Sequence, residues 1–117
     1  MNTHIDVRSS FDYSDTLLRH IERRVAAVLR PHAAQVADIA LRLLDANGPR
    51  GGANDKVVRI SVGLKPWGRV VASAASSDIY RSVDRASGRL RSALHHHRSR
   101  LKSRQGKARG RPGRDAD

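Results

Sequence analysis

From Asp78 to Lys102 the chain repeats its apolar residues with the period of an α-helix and surrounds them with bases. Ile79, Val83, Ala86, Leu90, Leu94 and Leu101 fall within one narrow stripe at roughly 100° per residue. A stripe of that kind commits the whole stretch to one long helix with one buried face, so the rest of the chain must supply an apolar surface to receive it. Arg81, Arg85, Arg89, His96 and Arg100 line one flank, and Arg91, His95, Arg98 and Lys102 line the other. Like charges four residues apart, as in Arg81/Arg85 and Arg85/Arg89, destabilise an isolated helix by about 0.2–0.5 kcal/mol per pair. One acid, Asp84, stands against all of these bases. A solvated basic face is the plain reading of an ordinary charge run, but so little compensation favours a polyanionic partner, nucleic acid above all.

The charge is unevenly spread. The net charge is +12, from 23 Lys+Arg and 11 Asp+Glu. Residues 1–78 hold 11 bases and 8 acids, and residues 79–117 hold 12 bases and 3 acids. The basicity therefore sits in the last third, where it would attract phosphate by counterion release and make binding salt-sensitive. At 117 residues the chain suits one small domain. Cysteine is absent, which excludes disulfides and thiolate metal sites and accords with a cytoplasmic setting. No apolar run is long enough to span a membrane, and Met1–Ser10 lacks the apolar region of a signal peptide. A basic amphipathic helix can also lie on an anionic membrane. This stripe, however, lacks Trp and Phe and is needed for the core, so no membrane partner is expected.

The remaining segments supply the surface. His4–Ser9 alternates, with Ile5 and Val7 on one face. Ser14 suits the N-cap of a helix running to about Leu29, with Leu17, Leu18, Ile21, Val25, Val28 and Leu29 as its stripe and Pro31 as its stop or kink. Asp38–Leu44 and Lys56–Lys65 read as strands. Ile39, Leu41 and Leu43 face inward in the first, and Val58, Ile60, Val62 and Leu64 in the second. Between them Asp45–Asp55 is loop chemistry throughout. Pro66-Trp67-Gly68 turns the chain into a fourth strand, Arg69–Ala75, and Ser76, Ser77 or Asp78 caps the long helix. The order β-α-β-β-β-α predicts an α+β fold: a two-layer sandwich, with a four-stranded sheet burying one face under two helices. The other sheet face carries Arg8, Arg42, Arg59 and Lys65 and is expected to be wet. Residues 1–102 would form the domain, and 103–117, almost devoid of apolar residues, a disordered basic tail.

The element order, Phe11-Asp12-Tyr13-Ser14 with Leu18, His20-Ile21 and Arg24, and above all Ser77-Asp78-Ile79-Tyr80-Arg81-Ser82-Val83-Asp84 carry a resemblance. The last stretch resembles the Asp-Met-Tyr-Ala-Ala-Ile-Asp signature that opens the second helix of the ribosome hibernation promoting factor family, also called ribosome-associated inhibitors or sigma-54 modulation proteins. The resemblance covers residues 1 to about 102. It implies a fold similar to a double-stranded RNA-binding domain and docking on the small ribosomal subunit, in the decoding region where mRNA and the A- and P-site tRNAs would lie. The activity it implies is occlusion, not chemistry. Arg24 and Arg30 fall where the family carries bases on its first helix, and Arg89, His96 and Arg100 where it carries them on its second. The chain departs from the family in four ways. Arg89-Leu90-Arg91-Ser92 replaces Lys-Leu-Glu-Arg, Gly88 interrupts the second helix, the Asp45–Asp55 loop is long, and the tail is basic with no dimerising domain after it.

Other features read more plainly. Consecutive residues of a helix diverge by about 100°, so His95-His96-His97 cannot converge on one metal, and His97 falls on the apolar stripe. Asp78 and Asp84 suit a cap and an Arg partner better than a catalytic pair, since no nucleophile or second acid accompanies them. Gly48-Pro49-Arg50-Gly51-Gly52 lacks the ending of a phosphate loop. Tyr80 suits a core or interface position, and Trp67 exposed packing at a turn. Arg109-Gly110-Arg111-Pro112 resembles an AT-hook core, which makes minor-groove DNA binding the main rival. A module docking an acidic protein is the third reading. The sequence thus predicts a non-enzymatic inhibitor of translation, monomeric on the small subunit, with no cofactor, metal or small-molecule substrate. Its rRNA phosphates would be met by Arg24, Arg30, Arg81, Arg85, Arg89, Arg91, His96, Arg98, Arg100 and Lys102.

Overall fold

The computed structural model describes residues 4–46, 55–66 and 68–110, with the backbone course alone over 98–110. The elements are β1 (Ile5–Ser9), α1 (Asp15–Leu29), a short 3-10 helix (Arg30–Gln35), β2 (Val36–Asp45), β3 (Lys56–Leu64), β4 (Gly68–Ser76) and α2 (Ile79–Gly110). The sheet runs β1-β2-β3-β4 in space as in sequence. β1 is parallel to β2, so the chain needs a crossover between them, and α1 provides it. The β2–β3 and β3–β4 pairs are antiparallel. The α+β sandwich expected from the alternation is the fold observed.

One core joins the layers. The sheet contributes Ile39, Leu41 and Leu43 from β2, Val58, Ile60, Val62 and Leu64 from β3, and Val70, Ala72 and Ala74 from β4. Against it lie Leu17, Ile21, Val25, Val28 and Leu29 of α1 and Val83, Ala86, Leu90 and Leu94 of α2. The small side chains of β4 have a purpose here, because Ala72 and Ala74, with the buried Ser82 of α2, permit helix and strand to approach closely. Ser82 and Ser87 widen the buried stripe beyond the apolar residues that define it in the sequence.

Local chemistry sets the ends. Ser14 Oγ accepts from Leu17 N–H at 3.1 Å and caps α1, and the α-helix stops at Leu29 before the 3-10 turn containing Pro31. Asp78 caps α2, its Oδ1 accepting from Tyr80 N–H at 3.0 Å. A polar knot fixes where α2 begins. Ser82 Oγ donates to the Lys56 carbonyl at 2.6 Å and lies 3.0 Å from Ser76 Oγ. Lys56 Nζ donates to Asp45 at 3.0 Å and to the buried Asp55 at 3.2 Å. The hydrogen bonds that Lys56 donates to Asp45 and then to Asp55 raise its pKa above the ordinary 10.5.

Several expectations shift. β2 is longer than Asp38–Leu44 at both ends, and Lys65 leaves β3 for the turn, where the Lys65–Pro66 bond is cis. Gly63 is covered rather than wet: Asp38 lies across it to reach Arg69, and a Cβ there would collide with the carboxylate. Finally, α2 does not stop near Lys102. It continues to Gly110 through the first part of the expected disordered tail. Lys102, Arg104, Gln105, Lys107, Ala108 and Arg109 favour helix without needing burial. The stretch 111–117, the loop residues 47–54, Trp67 and the side chains of Arg98, Arg100, Leu101 and Lys102 lie outside the described residues.

Candidate nucleic-acid interface

Because α2 buries Val83, Ala86, Leu90 and Leu94, the positions between them must face out. Arg81, Arg85, Arg89, Arg91, His95 and His96 are all exposed. Two of them also reach sideways. β4 is an edge strand, and Arg85 Nη1 donates to the Ala75 carbonyl at 3.2 Å while Arg89 Nη1 donates to the Ser73 carbonyl at 2.8 Å. Each bond engages one of the five N–H donors of a guanidinium, so the remaining donors stay available to an anion. Arg81, Arg85 and Arg89 therefore form a cationic border along the β4 edge, and Arg91 and His96 face outward further along the helix.

The single acid of α2 does not neutralise this border, because Asp84 is turned toward α1. Its Oδ1 accepts from His20 Nε2 at 2.8 Å and pairs with Arg24 Nε at 3.1 Å. The His20 ring also packs on Tyr80, with centroids 5.2 Å apart at 55°. Asp84 thus joins the two helices. Arg24, expected to meet phosphate, is spoken for by a carboxylate, a partner more than fifty residues away in sequence. Arg30 is exposed at the C-cap of α1. Arg98, Arg100 and Lys102 continue the backbone of α2.

The open sheet face carries charges that the helix-centred reading treated only as wet. Arg8 pairs in register with Arg42, and Arg42 with Arg59. Two rows away Arg69 is bound, Nη2 to Asp38 Oδ1 at 2.8 Å and Nη1 to Ser61 Oγ at 2.6 Å.

Among the described residues, no three His, Cys, Asp or Glu side chains come together to hold a metal. His95 and His96 are exposed and His97 is half-buried on the packed side, so the three side chains diverge. No helix among the described residues is long and apolar enough to cross a membrane.

Comparison with known proteins bears on these surfaces. A family model described as sigma 54 modulation protein / S30EA ribosomal protein matches residues 5–102. No curated protein sequence matches the chain. Among solved structures, a ribosomal subunit interface protein from Coxiella burnetii superposes with a TM-score of 0.71 at 21% identity, covering 83% of this chain and 99% of that one. The N-terminal domain of Protein Y from Thermus thermophilus gives a TM-score of 0.62 at 23% identity, over 79% of this chain and 93% of that one. At these identities the two structures speak for the fold.

Proposed function

The chain belongs to the sigma 54 modulation protein / S30EA ribosomal protein family, and from that premise we propose that it binds rRNA of the small ribosomal subunit in the decoding region and silences translation by occupying the place of mRNA and tRNA. The family is ribosome-associated and non-enzymatic, and its members regulate translation. The finer reading rests above all on one observation. The outward side of α2 presents Arg81, Arg85, Arg89, Arg91 and His96 while its one acid is committed to α1. A surface of that kind meets closely spaced phosphates without reading bases, and the fit of the domain to an RNA cavity supplies selectivity. The sequence pattern assigns Arg30, Arg98, Arg100 and Lys102 to the same role, and Arg24 joins them if RNA competes for the guanidinium that Asp84 holds. The protein acts in the cytoplasm, where ribosomes are, as a monomer on the subunit, with residues 1–102 as the binding domain and the tail as an electrostatic auxiliary.

The DNA-binding rival gains no support here. Its Arg109-Gly110-Arg111-Pro112 core straddles the end of α2, with Arg109 and Gly110 in the helix rather than in an extended arm.

The reading is tested by sedimentation and by translation in vitro. The protein should travel with small subunits and whole ribosomes at low salt and leave them at high salt. Inhibition should be stoichiometric with ribosomes and relieved by excess tRNA and mRNA. Inhibition by far fewer molecules than ribosomes, or recovery only with DNA in ribonuclease-resistant fractions, would refute it.

A further inference from the structure

The open face of the sheet holds an arrangement that folding alone does not favour. Residues directly opposite on neighbouring strands stand close, and like charges there destabilise a sheet. Yet Arg8, Arg42 and Arg59 occupy one row across β1, β2 and β3. Their neighbours show what a neutralised position looks like. Arg69, two rows away, is held by both oxygens of Asp38, at 2.8 and 2.9 Å, and by Ser61. Arg8 has only a long contact, 3.5 Å, with an exposed Asp6 carboxylate, a pair of the kind that contributes little. Arg42 and Arg59 have no ion-pair partner among the described residues and are both exposed. The row borders a groove of about 600 Å³, lined also by Asp6, Ala40 and Ser61.

We propose that the Arg8–Arg42–Arg59 row is a second phosphate-binding surface, which takes the backbone of an RNA strand on the side of the sheet away from the helices. Neighbouring strands lie about 4.8 Å apart, so the three guanidinium groups originate over about 10 Å. That span exceeds one small anion and suits consecutive phosphates of a polynucleotide. Arginine is the side chain best matched to phosphate oxygens, through its planar fork of donors. The described strand residues of this face include no Phe, Tyr or Trp, so it lacks the usual platform for stacked bases, and the contact is to backbone, independent of sequence. The inference rests on the RNA-binding reading above and deepens it. With α2 on one side and this row on the other, the domain is gripped by RNA from both faces of the sandwich.

The test is the salt dependence of binding. The paired substitution Arg42→Gln with Arg59→Gln removes two like charges that face each other, so the fold is retained, as circular dichroism and melting will report. Binding of a ten-residue oligouridylate and of purified small subunits is measured across a salt series, for this variant and for the unaltered protein. Each lost phosphate contact lowers the slope of log affinity against log salt by about 0.7 on a single strand. The expected drop is therefore about 1.4 for the oligonucleotide, with a fall of comparable direction for the subunit. An unchanged slope with both RNAs in the folded variant overturns the proposal. So does polyglutamate binding that is tighter than oligouridylate binding and lost in the same variant, since it would assign the row to an acidic protein. The two readings fail separately. If small subunits never bind but the oligonucleotide slope falls, the ribosomal reading fails and the row stands. If subunits bind, translation stops and neither slope moves, the row alone fails.

Discussion

Helix α1 sets Arg19, Arg23 and Arg24 against Asp15 and Glu22, while α2 sets Arg81, Arg85, Arg89 and Arg91 and a long basic continuation against Asp84 alone. The two helices bury similar apolar stripes against one sheet and share one core. What differs is the solvent side, and even the acid of α2 has been drawn away to serve α1. Packing therefore treats the helices as equals, whereas an approaching polyanion would not. The comparison separates residues that hold the fold from residues that are free to act on something else.

The largest effects should show no asymmetry. Ile21→Ala in α1 and Leu90→Ala in α2 each remove a fully buried side chain, and each should lower stability by about 3–4 kcal/mol in denaturant unfolding. If only one of them mattered, the idea of a shared core would break. Function should then split the helices. Arg85→Glu with Arg89→Glu should weaken small-subunit binding about 100-fold, at roughly 1.5 kcal/mol per charged contact. Arg19→Glu with Arg23→Glu on α1 should cost less than about tenfold, because those bases already sit among acids. Equal losses in a subunit-binding assay would mean that net charge, not the surface of α2, governs binding.

Much of this division is legible in the sequence. Val58, Ile60, Val62 and Leu64 announce their strand because a period of two with one buried face leaves no other register. The stripe of α2 and the Ser14 cap are equally plain, since both depend on neighbours within a turn or two. What depends on distant partners is not. Nothing near Arg24 marks it as the partner of Asp84, since the pair forms only when two helices are laid side by side. Ser82 is polar by type and buried because Ser76 of β4 and the Lys56 carbonyl meet it. The continuation of α2 past Lys102 escapes a reading based on apolar content, because helix propensity persists where apolar residues have run out. The arginine row is visible residue by residue, but its register across three strands is not.

Smaller effects sharpen the comparison. Asp84→Asn removes the charge that links the helices. It should cost about 1 kcal/mol in thermal unfolding and yet raise subunit affinity, because it frees Arg24; a fall in affinity would show that the linkage itself shapes the binding surface. Gly88 is exposed in α2 with open space where a Cβ would go. Gly88→Ala should stabilise the protein by about 0.5–1 kcal/mol and leave binding unchanged. The smallest effect lies in the alkaline range. With its pKa raised, Lys56 contributes stability that is complete below 10.5 and is lost as pH climbs through the folded-state value. In Lys56→Arg, whose charge does not titrate there, that final alkaline decline should be absent from a melting series.

The bonds from Arg85 and Arg89 to the rim of β4 have a consequence for how copies of this chain treat one another. An edge strand with free carbonyls is a template onto which a second molecule can add its own strand, the first step toward insoluble assemblies. Here the carbonyls of Ser73 and Ala75 are already engaged by guanidinium groups, and any intruding strand must displace two cations and face their charge. In the proposed binding mode, RNA phosphate that claimed those side chains would itself stand where the intruder would dock. At Ser73 and Ala75 the same two arginines would thus obstruct an added strand whether or not RNA is bound.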